Sequence, residues 1–375
     1  MFDIFTFFIY TTLLFSIYQL NKEKSLKKIN VDSLFCDKFS LNVKEIISLL
    51  FIAVIVGFRY EVGNDWYNYK EFYLESGYIS IDDYYFEPGY FYFNQILNKI
   101  GFSYQLTFFF LAAFTWYIVF KSLHKKYLAY LLFFIFCTEF FFWSMNGVRQ
   151  FIAIVIFGFS IRFIIEKKIY KYILSLFFAS LFHSSAILLL PVYFLRNKFF
   201  YNRYIFIILF IISFLFGTNP FTAQLIEQLL SNIILLLQLE RGAEYLIQSG
   251  GLTRITEESI SIGIGYYLFI LTNFIVILLS RNIIDHNKKL SIYFTLFFIG
   301  SIIYNLTFWS PELIRVNQYF IYFKSFCLAF IVHYYFNFSN KKFIGSALIL
   351  LFLINFLAMI YVSSNMSNPY RMLGF

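Results

Sequence analysis

The sequence has 375 residues, of which 60% are hydrophobic and 14% are charged. Soluble proteins carry roughly 25% charged residues, so this composition excludes an ordinary soluble domain and predicts an integral membrane protein. The net charge of +9 does not by itself indicate nucleic acid, because basic residues in a membrane protein first report topology. We therefore predict no nucleic-acid partner.

Apolar stretches long enough for helices that cross or enter the hydrocarbon follow one another along the whole chain. We predict an all-α, polytopic helical bundle with about 11 to 12 membrane segments. It should form a single membrane domain over residues 1–375, with outer loops at 59–104 and 219–261. The apolar segments lie near 2–20, 46–58, 105–120, 128–143, 148–165, 173–195, 204–218, 262–280, 290–308, 313–336 and 343–362.

Lysine is concentrated in particular connections between these segments. By the positive-inside rule these connections are cytoplasmic, which places the amino and carboxyl termini on the outer side. The lysine-rich connections are 22–45, 121–126, 166–171, 196–203, 281–289 and 340–342.

This charge pattern constrains segment 173–195. A single crossing there would put 196–203 outside and invert every later connection. We therefore expect the segment to enter and return as two short helices hinged near His183, Ser184 and Ser185. Irregular backbone at membrane depth requires surrounding protein or a water-filled cavity, so the hinge should face a cavity. An extra crossing at 220–239 would also keep the later lysine-rich connections cytoplasmic. The spaced polar residues of 220–239 favour an interfacial helix instead.

On this topology, more of the arginines lie on the outer side than in the cytoplasmic connections, whereas lysine is concentrated in the cytoplasmic connections. Guanidinium groups bind phosphate and carboxylate bidentately, whereas lysine acts as a point charge. The presence of arginine rather than lysine on the outer face therefore indicates an anionic ligand on that side. The outer arginines are Arg59, Arg149, Arg241, Arg254, Arg315 and Arg371.

Six stretches of the chain resemble, in order, the EpsG-like family of Wzy-type polysaccharide polymerases. The resemblance spans residues 57–375, with loop 219–261 matching least. The stretches are "VGFRYEVGNDWYNYKEFY", "FEPGYFYFNQIL", "NGVRQFIAIVIFGFSIRFI", "KYILSLFFASLFHSSAILLLPVYFL", "IRVNQYF" and "NPYRMLGF".

The resemblance implies an O-antigen, capsule or exopolysaccharide polymerase of the bacterial inner membrane, with a helical fold similar to GT-C glycosyltransferases. Such an enzyme transfers oligosaccharide repeat units carried on undecaprenyl diphosphate onto one another at the periplasmic face. Its partners would be the lipid-linked oligosaccharides, membrane lipids, and a chain-length regulator and the flippase of the same pathway. No cofactor is implied, because undecaprenyl diphosphate is a substrate carrier.

This chemistry needs preplaced cations and one base. The leaving diphosphate is already a stable anion, so its developing charge needs cations rather than a general acid. The attacking hydroxyl needs a base within hydrogen-bond reach. Because the acidic motifs are weak matches to a metal site, we predict no metal.

The candidate base is His183, with Asp65 and Glu61 as alternatives, since histidine as a residue type can change protonation near neutral pH. A lone histidine in an apolar stretch can equally be structural. Arg149 is the first candidate for a diphosphate ligand, because it opens a helix whose amino terminus also attracts phosphate. The remaining candidates for diphosphate or substrate binding are Arg59, Arg315, Arg241, Arg254, Tyr69, Gln150 and Tyr319.

Three other functions remain open. A lipid-linked oligosaccharide flippase would show two related halves with matched broken helices, whereas only one break is predicted. An O-antigen ligase would share the arginines, the base and the donor. A membrane acyltransferase would need its chemistry on the cytoplasmic face, which the charge pattern disfavours.

Overall fold

The computed structural model describes residues 3–23, 34–35, 40–83, 86–197, 202–219, 221–222, 225, 228, 263–363 and 366–372. The chain divides into two compact units, residues 1–197 with 328–375 and residues 198–327. No strand occurs among the residues described, and nearly all of the regular structure is helical. This confirms the predicted all-α fold class.

The first unit contains most of the helices. Its α-helices are α1 (Ile4–Asn21), α2 (Val43–Gly57), α3 (Trp66–Glu75), α4 (Pro88–Ile100), α5 (Tyr104–Ser122), α6 (Lys125–Cys137), α7 (Phe140–Asn146), α8 (Val148–Ile165) and α9 (Ile169–Ser180). The 3-10 helix Ser184–Asn197 follows α9.

The second unit contains α10 (Arg203–Gly217), α11 (Ile264–His286), α12 (Ser291–Thr307) and α13 (Pro311–Ile321). The next helix, α14 (Phe323–Asn337), begins in this unit and ends in the first, to which α15 (Lys342–Tyr361) also belongs.

Seven helices in the described part of the chain are long and apolar enough to cross a membrane, or eight if α6 and α7, bent by 64°, form one span. The protein is thus a multi-pass membrane protein. Shorter apolar helices lie at Ile169–Ser180, Ser184–Leu195 and Arg203–Gly217.

Short polar residues set where the helices begin. The Asp3 carboxylate accepts hydrogen bonds from the amides of Phe5 and Thr6 at the start of α1. Asn42 and Glu45 form a reciprocal capping box at the start of α2. Each of these side chains satisfies backbone donors that have no partner within the helix.

A glycine lets α2 and α5 pack closely. A Cβ atom on Gly57 would lie 2.4 Å from the Cα of Phe109, a separation that real side chains do not adopt. Gly57 is the last residue of α2, so this contact brings the segment that follows α2 against α5. It thereby positions the loop that carries Arg59.

The pair of short helices predicted for 173–195 is present. Helix α9 ends at Ser180, and the 3-10 helix begins at Ser184. The two pack against each other, with the Tyr172 hydroxyl donating to the Leu189 carbonyl at 2.6 Å. His183 lies in the break between them, as the topology argument predicted.

The segment 366–372 connects distant parts of the first unit. The Tyr370 amide donates to Thr6 Oγ1 in α1, and the Tyr370 hydroxyl donates to the Ile55 carbonyl in α2 at 2.9 Å. The Tyr60 amide donates to the Arg371 carbonyl at 2.9 Å. These hydrogen bonds hold the segment against α1, α2 and the loop after α2.

Candidate active site

Arg59 lies in the loop after α2 and is almost fully buried, with 1% of its surface exposed. Its Nε donates to the Val62 carbonyl at 3.1 Å, Nη2 donates to the Met145 carbonyl at 2.9 Å, and Nη1 donates to the Val56 carbonyl. The guanidinium also lies 5.1 Å from the centre of the Phe108 ring. Burial lowers the pKa of Arg59 to about 10, so the side chain is still charged at neutral pH.

The same loop contacts the end of α7. Gly63 has a φ of +99°, and a Cβ atom there would lie 2.8 Å from the Met145 carbonyl oxygen. The Asp65 amide donates to Asn146 Oδ1 at 3.1 Å. Since Gly147 then leads directly into α8, these contacts hold the loop beside the amino terminus of α8.

Arg149 lies in the first turn of α8 and forms an ion pair with Glu87. Its Nη1 bonds to Glu87 Oε2, and its guanidinium lies 4.1 Å from the centre of the Phe86 ring. The side chains of Arg149 and Glu87 are 23% and 11% exposed, so the pair is largely shielded and still reachable. Such a cation at a helix amino terminus favours an anionic ligand.

His183 approaches the other oxygen of the same carboxylate. His183 Nδ1 lies 3.3 Å from Glu87 Oε1, and the Ser184 amide donates to that oxygen at 3.1 Å. We refer to Glu87, Arg149 and His183 as the Glu87 cluster. It joins α8, the start of α4 and the hinge between α9 and the 3-10 helix.

The electrostatics of the cluster keep Glu87 ionised. Burial alone would raise the pKa of this carboxyl, but the His183 contact, the charge of Arg149 and the Ser184 amide outweigh burial. Together they lower the pKa of Glu87 to about 2. Glu87 is therefore a carboxylate at any physiological pH.

Tyrosines from α3 and α4 line the buried side of Arg149. The rings of Tyr69 and Tyr90 lie 5.8 Å apart, and both side chains are buried. Burial raises the pKa of Tyr69, although the charge of Arg149 and a hydrogen bond with it act in the opposite direction. Tyr69 thus contacts Arg149, the residue predicted to bind phosphate, and is itself a neutral phenol.

The two other candidate carboxylates lie outside the Glu87 cluster. Glu61 pairs with Arg371, with Oε2 lying 2.8 Å from Nη1. A hydrogen bond from Tyr67 is the main cause that lowers the pKa of Glu61, and Arg371 adds to it. Asp65 is the amino-terminal cap residue of α3. Their roles as alternative bases stay predictions.

The remaining predicted residues are not part of the cluster. Gln150 is buried in the first turn of α8. Arg315 is exposed and Tyr319 is fully buried on α13, in the second unit. Arg241 and Arg254 lie outside the described residues.

Sequence reasoning did not single out Glu87. It lies in a loop that also carries Glu61, Asp65, Glu71, Glu75, Asp82 and Asp83. Its distinguishing signal is the stretch "FEPG", in which Pro88 is the first residue of α4 and Glu87 its cap. Proline at that position is pre-organised for a helix start, so the neighbouring carboxylate is held in a defined place.

The sequence profile of the EpsG family matches residues 45–372. This match includes every residue of the Glu87 cluster and nearly all of the chain. The chain belongs to the EpsG family. Membership supports a role like that of a polysaccharide polymerase, and with it glycosyl transfer, in agreement with the resemblance described above. No curated protein and no solved structure matches the chain.

Proposed function

We propose that this EpsG-family protein is a polysaccharide polymerase. It transfers oligosaccharide repeat units from undecaprenyl diphosphate to a second lipid-linked unit at the outer face of the bacterial inner membrane. The observation that carries the proposal is the Glu87 cluster. It places an arginine at a helix amino terminus and a histidine on the two oxygens of one largely shielded carboxylate.

In the proposed reaction, Arg149 binds the diphosphate of the donor. The amino terminus of α8 adds its partial positive charge to that of the guanidinium. As the bond between the anomeric carbon and the diphosphate oxygen breaks, negative charge grows on the leaving group. Cations that are already in place stabilise this charge without reorganisation.

His183 is the proposed base. With Nδ1 facing Glu87, Nε2 remains for the hydroxyl of the acceptor sugar. The hydroxyl oxygen attacks the anomeric carbon and its proton passes to His183, while undecaprenyl diphosphate leaves as an anion. No metal or cofactor enters this scheme, and metal independence stays a prediction.

Two further groups fit this reaction. Arg59, bound to three backbone carbonyls, positions the loop beside α8. Exposed Tyr67 on α3 and partly exposed Glu61 in the loop before it offer an aromatic face and a carboxylate of the kind that bind sugars. Arg315 on α13 remains a proposed second anion ligand. The pathway's flippase and a chain-length regulator remain proposed partners.

The test is reconstitution of the purified protein in liposomes with purified undecaprenyl-diphosphate-linked repeat units. Products that lengthen by whole repeat units, with release of undecaprenyl diphosphate, support a polymerase. Translocated but chemically unaltered lipid would identify a flippase. Transfer only to an added lipid A acceptor would identify a ligase, and either of these outcomes would overturn the proposal.

A further inference from the structure

We propose that Glu87 is the positioning residue of this site, holding His183 in the orientation that lets it act as a base while fixing the guanidinium of Arg149. This inference rests on the proposed glycosyl transfer. It assigns a role to a carboxylate that does not itself touch the sugar or the diphosphate.

The two carboxylate oxygens of Glu87 contact different groups. Oε1 receives the Ser184 amide at 3.1 Å and lies 3.3 Å from His183 Nδ1. Oε2 bonds to Arg149 Nη1. One carboxylate therefore sets the distance between the proposed base and the proposed diphosphate ligand.

The backbone around Glu87 gives this arrangement a fixed frame. The Leu181 carbonyl, in the turn before His183, accepts the Gly89 amide at 2.8 Å and the Tyr90 amide at 3.3 Å. These bonds dock the hinge on the first turn of α4, immediately after Glu87. Both the carboxylate and the imidazole are thus attached to the same rigid junction.

The chemistry requires a carboxylate in this place. An imidazole acts as a base through one nitrogen only if the proton of its neutral form sits on the other, and a carboxylate facing Nδ1 keeps it there. When Nε2 gains the acceptor proton, the same negative charge stabilises the resulting imidazolium. An amide at position 87 would fill the same space without that charge.

The charges and titratable groups facing the cluster are few in the described part of the structure. Arg149 faces the carboxylate from α8, and Tyr69 and Tyr90 face Arg149 from α3 and α4. Asp65 acts on Tyr69 from the loop before α3. Glu87 is the group that contacts both Arg149 and His183.

The experiment compares Glu87→Gln and Glu87→Asp in the liposome assay, each in the natural and in the His183→Ala background. We expect Glu87→Gln to lower kcat for the first coupling by about 10²- to 10⁴-fold, as for carboxylates that orient a catalytic histidine. The KM for the lipid-linked donor should change much less. Glu87→Asp should recover part of kcat, because it keeps the charge.

In the His183→Ala background, Glu87→Gln should lower kcat much less than in the natural background, because Glu87 and His183 act as a unit. The smaller loss that remains comes from the released guanidinium of Arg149. Glu75→Gln, at an exposed glutamate at the end of α3, is the matched control and should leave kcat unchanged. Thermal unfolding of each variant reports whether it is folded.

The proposal is overturned if Glu87→Gln keeps natural kcat, or if it lowers kcat equally in both backgrounds. It also fails if both Glu87 variants are unfolded, since the carboxylate would then be structural. If the natural protein does not lengthen the units at all, the proposed polymerase function fails instead. The two failures are therefore distinguishable.

Discussion

Arg149 and Arg162 lie at opposite ends of α8, which makes them a matched pair for mutation. Arg162 lies 5.0 Å from the centre of the Phe35 ring and 3.9 Å from Glu166, away from the Glu87 cluster. We expect Arg149→Ala to lower the polymerisation rate by about 10²- to 10³-fold, the usual effect of removing a charge-stabilising donor. Arg149→Lys should recover part of this loss.

The measurement is the length of the polymer ladder in cells that express each variant at equal level. Arg162→Ala should give a normal ladder. A normal ladder from Arg149→Ala would exclude its proposed phosphate role.

Arg59 differs from Arg149 in what its guanidinium contacts. Three backbone carbonyls accept its hydrogen bonds, so Arg59→Met would leave buried acceptors without donors. We expect a loss of about 2 to 4 kcal/mol in unfolding free energy, seen as a lower thermal midpoint in detergent. Arg371→Gln, at a half-exposed ion pair, should change the midpoint little. Equal midpoints for natural protein and Arg59→Met would contradict the structural role.

Glu87 should also make stability depend on pH. Its pKa falls from 4.5 to about 2 on folding, so its contribution is fully present above about pH 4.5 and is lost as pH falls toward 2. At 1.36 kcal/mol per unit the shift is worth about 3 kcal/mol. The difference in thermal midpoint between natural protein and Glu87→Gln should therefore persist from pH 7 to 5 and shrink below about pH 4. A difference that stays constant down to pH 3 would contradict this linkage.

At the scale of elements, the junction between α4 and the hinge is packed so closely that one added methyl group should displace the hinge. A Cβ atom on Gly89 would lie 2.7 Å from the Leu181 carbonyl oxygen and 2.8 Å from its Cβ. Gly89→Ala should therefore push the hinge away from α4 and separate His183 and Ser184 from Glu87.

We expect Gly89→Ala to remain folded and to lose about tenfold or more in polymerisation rate, because an ångström of misplacement at a reacting group is enough for such an effect. The control is Gly265→Ala, in α11, where a Cβ atom meets nothing within 4 Å. Comparable activities for the two variants would show that the junction tolerates displacement.

At the scale of the whole molecule, the predicted sidedness can be checked with two exposed tyrosines. Tyr78 follows α3 and is 92% exposed, and Tyr170 lies at the start of α9 and is 85% exposed. In a cysteine-free background, Tyr78→Cys should react with an impermeant maleimide on intact spheroplasts. Tyr170→Cys should react only after lysis. The reverse pattern would place the Glu87 cluster on the cytoplasmic side.

The fold class and the helix pair around His183 could be predicted from the sequence. Apolar length indicates spans, and the distribution of lysines required a return near His183. Arg149 and His183 are both candidates on separate stretches, and in the structure both contact Glu87. Their proximity depends on α4, whose docking on the hinge involves backbone amides and carbonyls that no side-chain pattern reveals.

Glu87 and Arg59 show why the rest could not be predicted. Glu87 is one of several carboxylates in loop 59–104. Pro88 marks it as a helix cap, but only the structure shows its contacts with Arg149 and His183. For Arg59, the sequence shows a charge after an apolar helix. It does not show that Val56, Val62 and Met145 turn their carbonyls toward it. Tertiary hydrogen bonds of this kind depend on the path of the whole backbone.

The segment 366–372 carries a consequence for how the protein is made. Its hydrogen bonds reach Thr6, Ile55 and Tyr60, residues that leave the ribosome hundreds of codons earlier. Helices α1 and α2 therefore enter the bilayer before these hydrogen bonds can form, and the bonds form only after synthesis has passed Arg371. The loop that bears Arg59 can reach its final form only as a late, post-insertion event of biogenesis.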